Sequence, residues 1–406
     1  MRLRAWMTLP ALLCALFRST SNVSVADPVE APGDSIASRI AGRTFPSVFE
    51  AWNPAQNLHR QTAEAAVSLS TNETAAATTS RHDLYFGGWN SLGLKLTGDQ
   101  RYALLSPDFT ADSIEAARKR RAVLLAANPN MLILAEQHYY SAGADFLPPD
   151  SPWWRRDSRL DDPEHGSGRL DFGNPAFQDK VAALCGALVR TGVYDGCMLD
   201  WWHDDDQSAE RLALIRKIRA AVGEQAILLG NVNSRLPART AGYLNGMYME
   251  GFGSHSFPDW HMAAANLIWG ESHLRKPVVT ALEGWWDNGR NQYPLMRNVT
   301  TLCLVFSNGY VLFSDPNSLP TPDHLHDWYP FWDKSLGRPI GPPAVLNHPD
   351  LSGAYTRQFD KGEVVFNPPS NKEVTVRFEQ SRRSAASGAT GRVFTIAPGD
   401  GDLLLE

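Results

Sequence analysis

The sequence has few cysteines, and they lie far apart. There are four in 406 residues: Cys14, Cys185, Cys197 and Cys303. The last three lie inside apolar runs, so we predict buried free thiols at these positions. Their number and wide spacing argue against a disulfide framework and against a cysteine-based zinc site.

The chain also lacks an excess of positive charge. Its 38 Lys and Arg residues are outnumbered by 44 Asp and Glu residues, which gives a formal net charge of -6. A negative chain without a basic patch argues against a nucleic-acid partner. Long apolar runs are missing beyond the N-terminus as well, so no integral membrane segment is predicted for the mature protein.

The N-terminus has the order of a secretory signal. Arg2 and Arg4 precede an apolar segment at residues 5–17, and Ser24-Val25-Ala26 offers small residues for cleavage. We therefore predict a signal peptide over residues 1–26 and a secreted or periplasmic protein. Residues 27–43 are rich in Pro, Ala, Gly and Ser, which predicts a flexible lead-in.

One stretch, residues 194–206, shows how the rest of the chain is built. It reads YDGCMLDWWHDDD, an apolar run that ends in Asp200 and is followed at once by Trp201 and Trp202. A segment that is apolar along its length and acidic and aromatic at its C-terminal end is typical of a parallel barrel strand, buried on both faces and opening into a site.

Seven other segments repeat this design. With the segment above, the eight predicted strands cover residues 45–52, 83–90, 131–135, 196–199, 226–230, 245–250, 276–282 and 310–313. Predicted helices separate most of them, at residues 57–68, 111–128, 174–190, 208–222, 258–274 and 293–307. The count and length predict an α/β fold, a (β/α)8 TIM barrel over residues 44–338. A doubly wound open sheet is the alternative, but no Gly-rich phosphate loop follows the first strand.

The C-terminal part of the chain has a different sequence pattern. Short β-like runs at residues 355–359, 363–367 and 374–378 follow a Pro-rich linkage, and the Asp360-Lys361-Gly362 turn joins the first two. We predict a small C-terminal antiparallel β-domain over residues 345–406.

The predicted strand ends collect acidic and aromatic side chains at one mouth of the barrel. Carboxylates crowded on a rim repel one another, which a purely structural protein has little use for. Glycoside hydrolysis needs such a set, because one carboxylic acid protonates the leaving oxygen while a second carboxylate attacks the anomeric carbon or activates water. Thirteen tryptophans, many beside polar residues, suit surfaces on which sugar rings stack.

The candidate site follows from this arrangement. The candidate catalytic residues are Asp200 and Glu250. The candidate substrate-binding residues are Glu50, Trp52, Trp89, Glu136, His138, Trp201, Trp202, His203, Asn231, Asn233, Arg235, Glu283, Trp285, Trp286 and Asp315. Asp204 to Asp206 are read as a solvated loop or helix start, because adjacent aspartates lack the alternating spacing of a calcium loop.

Three motifs carry a family resemblance. DGCMLDWW on the fourth strand, GMYMEGF on the sixth and RQFDKGEVVFNPP in the C-terminal domain resemble secreted glycoside-hydrolase barrels catalogued as hypothetical glycosyl hydrolase family fifteen. Their layout is similar to that of alpha-galactosidase and alpha-amylase barrels. The resemblance covers about residues 45–380 and implies Asp200 as nucleophile and Glu250 as acid/base. This chain has Glu on the sixth strand where the alpha-galactosidase layout has Asp, which leaves retention and inversion both open, with retention favoured.

The predicted function is that of a secreted glycoside hydrolase acting on a polysaccharide or oligosaccharide. We expect a carbohydrate as the partner, no cofactor, no metal and a monomer. A carbohydrate-binding barrel that has lost its hydrolase activity is the alternative from another class. A polysaccharide deacetylase or lyase is a third, but a deacetylase normally needs a His-rich metal set, and the strand ends here are mostly acidic.

Overall fold

The computed structural model describes residues 35–52, 79–143, 146–155, 167–253, 259–286, 291–314, 324 and 326–406. Within these ranges the strands are β1 Phe49–Ala51, β2 Leu84–Gly88, β3 Leu132–Gln137, β4 Ser141–Gly143, β5 Ser167–Arg169, β6 Gly196–Leu199, β7 Ile227–Asn231, β8 Gly246–Gly253, β9 Ala281–Trp285, β10 Tyr310–Ser314, β11 Tyr355–Phe359, β12 Gly362–Asn367, β13 Val374–Ser384, β14 Thr390–Ile396 and β15 Asp400–Leu405. The helices are α1 Ile36–Gly42, α2 Ala111–Ala127, α3 Pro175–Arg190, α4 Ser208–Val222, α5 Trp260–His273 and α6 Tyr293–Phe306.

Eight parallel strands form the main sheet, in the order β1-β2-β3-β6-β7-β8-β9-β10. Its two outer strands meet: Val48 forms a parallel bridge with Val311, whose amide donates to the carbonyl of Ser47 at 2.9 Å. The sheet therefore closes on itself, which confirms the predicted TIM barrel over the doubly wound alternative.

Of the six described helices, the five from α2 to α6 lie where they were predicted. Asn174 begins α3 by accepting the backbone N–H of Ala176, with proline at the first helical position, and Thr110 caps α2 by accepting from Ser113. The chain between β7 and β8 forms turns rather than a helix. The helix predicted at residues 57–68 lies outside the described residues.

The predicted flexible lead-in is corrected at its end. Residues 36–42 form α1, and Arg39 on this helix is buried against the carboxylate of Asp195 just before β6. Arg121 of α2 pairs with the same carboxylate at 2.8 Å, and Asp195 also accepts the amide of Ile133 at 2.9 Å. The Pro- and Ser-rich composition did not indicate a helix here. The helix is held by an ion pair between residues far apart in the chain, which the local sequence does not reveal.

Side chains of a strand alternate between the two faces of the sheet, so every second residue points into the barrel. Phe49 of β1, Phe86 of β2 and Tyr248 of β8 meet inside it, with ring centroids 5.1–5.8 Å apart. These aromatic rings fill the lumen below the mouth. The residues on the opposite face of the same strands pack outward, against the surrounding helices and loops.

The second sheet has five antiparallel strands in the order β11-β12-β15-β13-β14. The three predicted strands are confirmed, and β14 and β15 are additional. The sheet docks on α6 of the barrel, where Arg297 pairs with Asp400 at 2.7 Å. Arg357 of β11 donates to the carbonyls of Leu304 and Ser307 at 2.8 and 2.7 Å. The second sheet therefore supplies hydrogen-bond donors to two buried carbonyls at the C-terminal end of α6.

The structure also bears on what the sequence suggested about the cysteines and about membrane segments. Cys185, Cys197 and Cys303 are buried and free, as predicted. Among the described residues, no helix has both the length and the apolar character needed to cross a membrane.

Candidate active site

The lumen-facing side chains at the mouth come from five strands. Glu136 pairs in register with Met198, and Asp200 lies two residues beyond Met198 on the same face. Asn231 of β7 pairs with Tyr248, two residues before Glu250. The eight-stranded register therefore brings Glu136, Asp200, Asn231 and Glu250 to one rim, with Glu283 on the next strand along.

Asn231 joins the two candidate catalytic residues. Its side-chain nitrogen donates to Asp200 Oδ1 at 2.8 Å and to Glu250 Oε2 at 2.6 Å. The two oxygens can therefore lie no further apart than the sum of these distances. Asn231 is itself 3% exposed, which fixes the amide as part of the barrel wall rather than as a mobile surface group.

Glu250 lies in an environment that favours its protonated form. Burial, and then the neighbouring carboxylates of Asp200 and Glu283, raise the pKa of Glu250 to about 8, although His324 and the Asn231 hydrogen bond oppose the rise. Burial and the charges of two carboxylates therefore favour the protonated form of Glu250, as a general acid needs.

The environment of Glu283 favours its ionised form, although this residue is fully buried. It accepts from Ser314 Oγ at 2.6 Å, from the hydroxyl of Tyr248, and from His324 Nδ1, which lies 3.0 Å from each of its two oxygens. Burial alone would raise its pKa, but these donors and the charge of His324 outweigh it and hold the pKa of Glu283 below its usual value. Glu283 is therefore a fixed, satisfied anion behind the rim, with no surface open to a ligand.

His324 is the site residue that the sequence did not reveal. Its Nε2 faces Glu250 Oε1 at 3.6 Å, and its ring lies between the rings of Trp52 at 4.6 Å and Trp285 at 5.2 Å. It follows the last barrel strand at a distance in the chain and belongs to no strand, so no periodic pattern pointed to it. Its lone signal was a histidine in a region after a predicted strand end.

Glu136 forms a second acidic group on the other side of Asp200. His138 Nε2 lies 3.2 Å from Glu136 Oε1, and atoms of Glu136, His138 and Asp200 all fall within 4.8 Å of one another. Burial, followed by the charge of Asp200, raises the pKa of Glu136, while His138 lowers it. Both residues remain candidates for substrate binding, and the side chain of His138 is 41% exposed.

The adjacent tryptophans Trp201 and Trp202 have different surroundings. Trp201 is 47% exposed, and its ring stacks on Tyr140 with a centroid distance of 5.8 Å and an angle of 26°. Trp202 is fully buried, packs on Gly230, and donates its indole N–H to Thr240 at 2.9 Å. The sugar-stacking role predicted for Trp202 is therefore corrected, because its ring presents no face to a ligand.

The remaining predicted tryptophans line the wall to different extents. Trp285 and Trp52 are partly buried around His324. Trp286 packs against Phe252 at 5.5 Å and Phe313 at 5.7 Å, which directs it into the wall. Trp89, in the turn after β2, is partly buried and lies against a neighbouring phenylalanine ring.

The loops after β6 and β7 contain polar residues that were predicted near the site. His203 Nε2 lies 3.0 Å from Asn233 Oδ1, which ties this loop to the one after β7. Arg235 is paired with the exposed Asp205 at 3.3 Å, so its charge is partly neutralised. Asp204 is buried and accepts three hydrogen bonds from the 239–240 segment, which corrects its reading as a solvated residue.

Two predicted substrate-binding residues are not part of the described rim. Glu50 alternates with the lumen-facing Phe49 and points to the outer face of the barrel, where it is fully buried and lies 3.9 Å from His82. Burial raises the pKa of Glu50 well above its usual value, and its rim position is corrected because the strand register directs it outward. Asp315 lies outside the described residues.

Two sets of side chains have the spacing of metal ligands, Glu136 with His138 and Asp200, and Glu250 with Glu283 and His324. In the second set the ligand atoms of Glu283 and His324 already serve hydrogen bonds to one another and to Ser314. That geometry is a hydrogen-bonded network around a protonatable carboxyl rather than an open cation cradle.

The fold and this rim have the layout of a glycosidase-type barrel: eight parallel strands, carboxylates at their C-terminal ends, and an appended antiparallel sheet. Residues 204–363 match the sequence profile described as Hypothetical glycosyl hydrolase family 15. Within this range, which is less than half of the chain, the match confirms the resemblance found in the sequence. It includes Glu250, Glu283 and His324 and begins four residues after Asp200.

Solved structures are similar to the chain at low sequence identity. A β-L-arabinopyranosidase from Geobacillus stearothermophilus, solved in complex with arabinose, superposes with a TM-score of 0.52 at 11% identity, over 91% of this chain and 99% of that one. A noncanonic maltogenic alpha-amylase from Thermotoga neapolitana has a TM-score of 0.48 at 11% identity, over 89% and 99%. No curated protein matches the chain.

Proposed function

We propose that the protein is a secreted glycoside hydrolase that cleaves glycosidic bonds of an oligosaccharide or polysaccharide, with Asp200 as nucleophile and Glu250 as acid/base. The single observation that carries the proposal is the bridge formed by Asn231, whose side-chain nitrogen donates to both carboxyl groups. The glycosidase-type barrel and the family match support the same reaction class.

The separation of the two carboxyl groups favours retention. Retaining enzymes place them roughly 5–5.5 Å apart and inverting enzymes roughly 6.5–9.5 Å apart. The distances of 2.8 and 2.6 Å to the shared nitrogen of Asn231 keep the nearest oxygens of Asp200 and Glu250 below the inverting range.

The reaction then proceeds in two steps. An oxygen of Asp200 attacks the anomeric carbon while Glu250 gives its proton to the departing glycosidic oxygen, which leaves a covalent glycosyl–Asp200 ester. Glu250, now a carboxylate, takes a proton from water that attacks the same carbon and releases Asp200. The raised pKa of Glu250, about 8, keeps its proton in place at neutral pH before the first step.

Sugar binding is assigned to the exposed part of the mouth. Trp201 on Tyr140 offers an open aromatic face beside Asp200, and Glu136 with His138 offers hydrogen-bonding groups on the same side. Trp52 and Trp285 contact the ring of His324, and the side chain of Trp52 also hydrogen-bonds Glu136. We therefore assign these two rings to the same sugar-binding mouth.

The proposal is tested with a panel of polysaccharides, oligosaccharides and aryl glycosides, using reducing-sugar detection and the wild-type protein beside Asp200→Asn and Glu250→Gln. Asp205→Asn is the matched control, because Asp205 is an exposed aspartate of the same loop. We expect turnover by the wild type and the control and a loss of about 10³-fold or more in the two site variants. Near-normal activity of either site variant would contradict the assignment.

The same panel addresses the alternative of a carbohydrate-binding barrel without catalysis. Binding of an oligosaccharide by the wild type without any turnover would favour that alternative. Export is proposed from the N-terminal residue order, and mass spectrometry of secreted material would contradict it by finding an intact segment from Met1 to Asp27.

A further inference from the structure

We propose that His324, fixed by Glu283, is a positioning residue for the acid/base Glu250: it turns one ring nitrogen toward that carboxyl and stabilises the anion left when the proton moves to the sugar. This inference rests on the proposed function of Glu250. Nothing in the sequence motifs or in the family description assigns a role to His324.

The hydrogen bonds determine how the ring is oriented. A carboxylate only accepts hydrogen bonds, so the Nδ1 atom of His324, 3.0 Å from each oxygen of Glu283, is the donor. Glu283 is kept ionised by this contact together with Ser314 and Tyr248. The second ring nitrogen, Nε2, is thereby left on the side of Glu250, at 3.6 Å from Oε1.

Aromatic packing keeps the ring in this place. The rings of Trp52 and Trp285 both contact the ring of His324, with centroid distances of 4.6 and 5.2 Å. The backbone of His324 has a φ of 62°, a left-handed conformation that costs energy for a residue with a side chain and persists where the surroundings enforce it. His324 itself is 2% exposed, so water does not compete for its nitrogens.

The surrounding charges show why the contact matters. Asp200, Glu283 and His324 face Glu250. Among the described residues, the titratable groups around His324 include Glu250, Glu283, Glu136, Tyr248 and His326. His324 can carry positive charge, and it lowers the pKa of Glu250 against the effect of two carboxylates. Without it, Glu250 would be a weaker acid and its anion would be buried among like charges.

The first test reads the carboxyl group directly and needs no substrate. Carbonyl-13C glutamate labelling with NMR titration follows Glu250, assigned by the signal lost in Glu250→Gln. We expect a midpoint near 8 in the wild type and a midpoint about one pH unit higher in His324→Phe, which keeps an aromatic ring but lacks nitrogens. His273→Phe, an exposed histidine at the end of α5, is the control and leaves the midpoint unchanged.

A second variant and a kinetic comparison allow the proposal to be tested even if His324→Phe does not fold. His324→Gln, neutral and smaller, has the same expected upward shift if the phenylalanine variant does not fold. With an aryl glycoside whose leaving group needs no proton, kcat of His324→Phe stays within a few-fold of wild type. With a poor leaving group it falls about 10–100-fold, and the alkaline limb of the pH profile moves upward.

The outcomes separate the two proposals. An unchanged Glu250 midpoint in folded His324→Phe or His324→Gln overturns the role of His324, as does an equal loss with good and poor leaving groups. Full activity of Glu250→Ala on poor leaving groups would instead overturn the proposed function, while the carboxyl titration still reports whether His324 acts on Glu250.

Discussion

Asp200 and Glu250 accept hydrogen bonds from the same nitrogen atom, the side-chain amide of Asn231. They come from strands that are not adjacent, and the amide lies on the strand between them. A neutral donor in this place offsets the repulsion between two partly buried carboxyl groups and limits their separation. A carboxylate there would do neither, because it cannot donate.

Replacing Asn231 by aspartate tests this bridge with almost no change in shape. The variant loses the donor and adds a negative charge beside two carboxyl groups, so we expect kcat/KM to fall about 10²–10³-fold, as on removal of a preorganised donor. Asn231→Ala removes the donor without adding charge and should lose less. Steady-state kinetics of both variants on one substrate checks the order.

Near-wild-type kinetics of Asn231→Asp would contradict the bridging role. Thermal melts at the assay pH provide the control, since a variant that is unfolded says nothing about the distance between the two carboxyl groups.

The neighbouring tryptophans provide a matched pair. Trp201→Ala removes an exposed ring, so we expect a rise in KM of about 5–30-fold from a lost stacking contact of about 1–2 kcal/mol, with an unchanged melting temperature. Trp202→Ala empties a buried site and leaves Thr240 without its indole partner, so it should lower the free energy of unfolding by about 3–5 kcal/mol. Oligosaccharide titration and thermal melts distinguish the two effects, and a large stability loss in Trp201→Ala would contradict the assignment.

Glu250 predicts a pH dependence of stability. The carboxyl releases its proton near its ordinary value of 4.5 in the unfolded chain and near 8 in the folded protein. The folded state therefore holds more protons between these values, and the free energy of unfolding falls as the pH rises through this window. Glu250→Gln removes this contribution, because glutamine has no proton to lose.

We expect Glu250→Gln and the wild type to have similar melting temperatures near pH 4, and the variant to be more stable at pH 9 by on the order of a few kcal/mol. Denaturant titrations at the two pH values measure the difference. A stability difference that does not change with pH would show that the carboxyl is not held protonated by the folded protein.

The barrel could be predicted from sequence because its signals are local. Each strand is a short apolar run, and α2 and α3 begin at residues that cap helices, Thr110 and Asn174. Asp200 and Glu250 followed from their places at strand ends. The helix α1 was missed because the pairing of Arg39 with Asp195 joins residues 156 positions apart.

The details of the site depend on the direction in which each side chain points. Predicting that direction requires the strand register to be known to within one residue, and the sequence did not supply this. Glu50 was expected at the rim, but a strand turns alternate residues to opposite faces, and Glu50 follows the lumen-facing Phe49. Trp202 was paired with Trp201 for a similar reason, although the positive φ of 54° at Trp201 separates their directions. His324 is positioned by tertiary contacts alone, which no periodicity encodes.

The most direct measurement of the central claim is covalent trapping of the nucleophile. The protein is incubated with a panel of 2-deoxy-2-fluoroglycosyl fluorides, which form the glycosyl ester quickly and release it slowly, and its intact mass and peptides are then analysed by mass spectrometry. The account predicts an added mass of one fluorosugar on the peptide that contains Asp200, absent from Asp200→Asn and present in the control Asp205→Asn. A label on another carboxylate, such as Glu136 or Glu283, or turnover of natural glycosides with inversion of the anomeric centre, would contradict it.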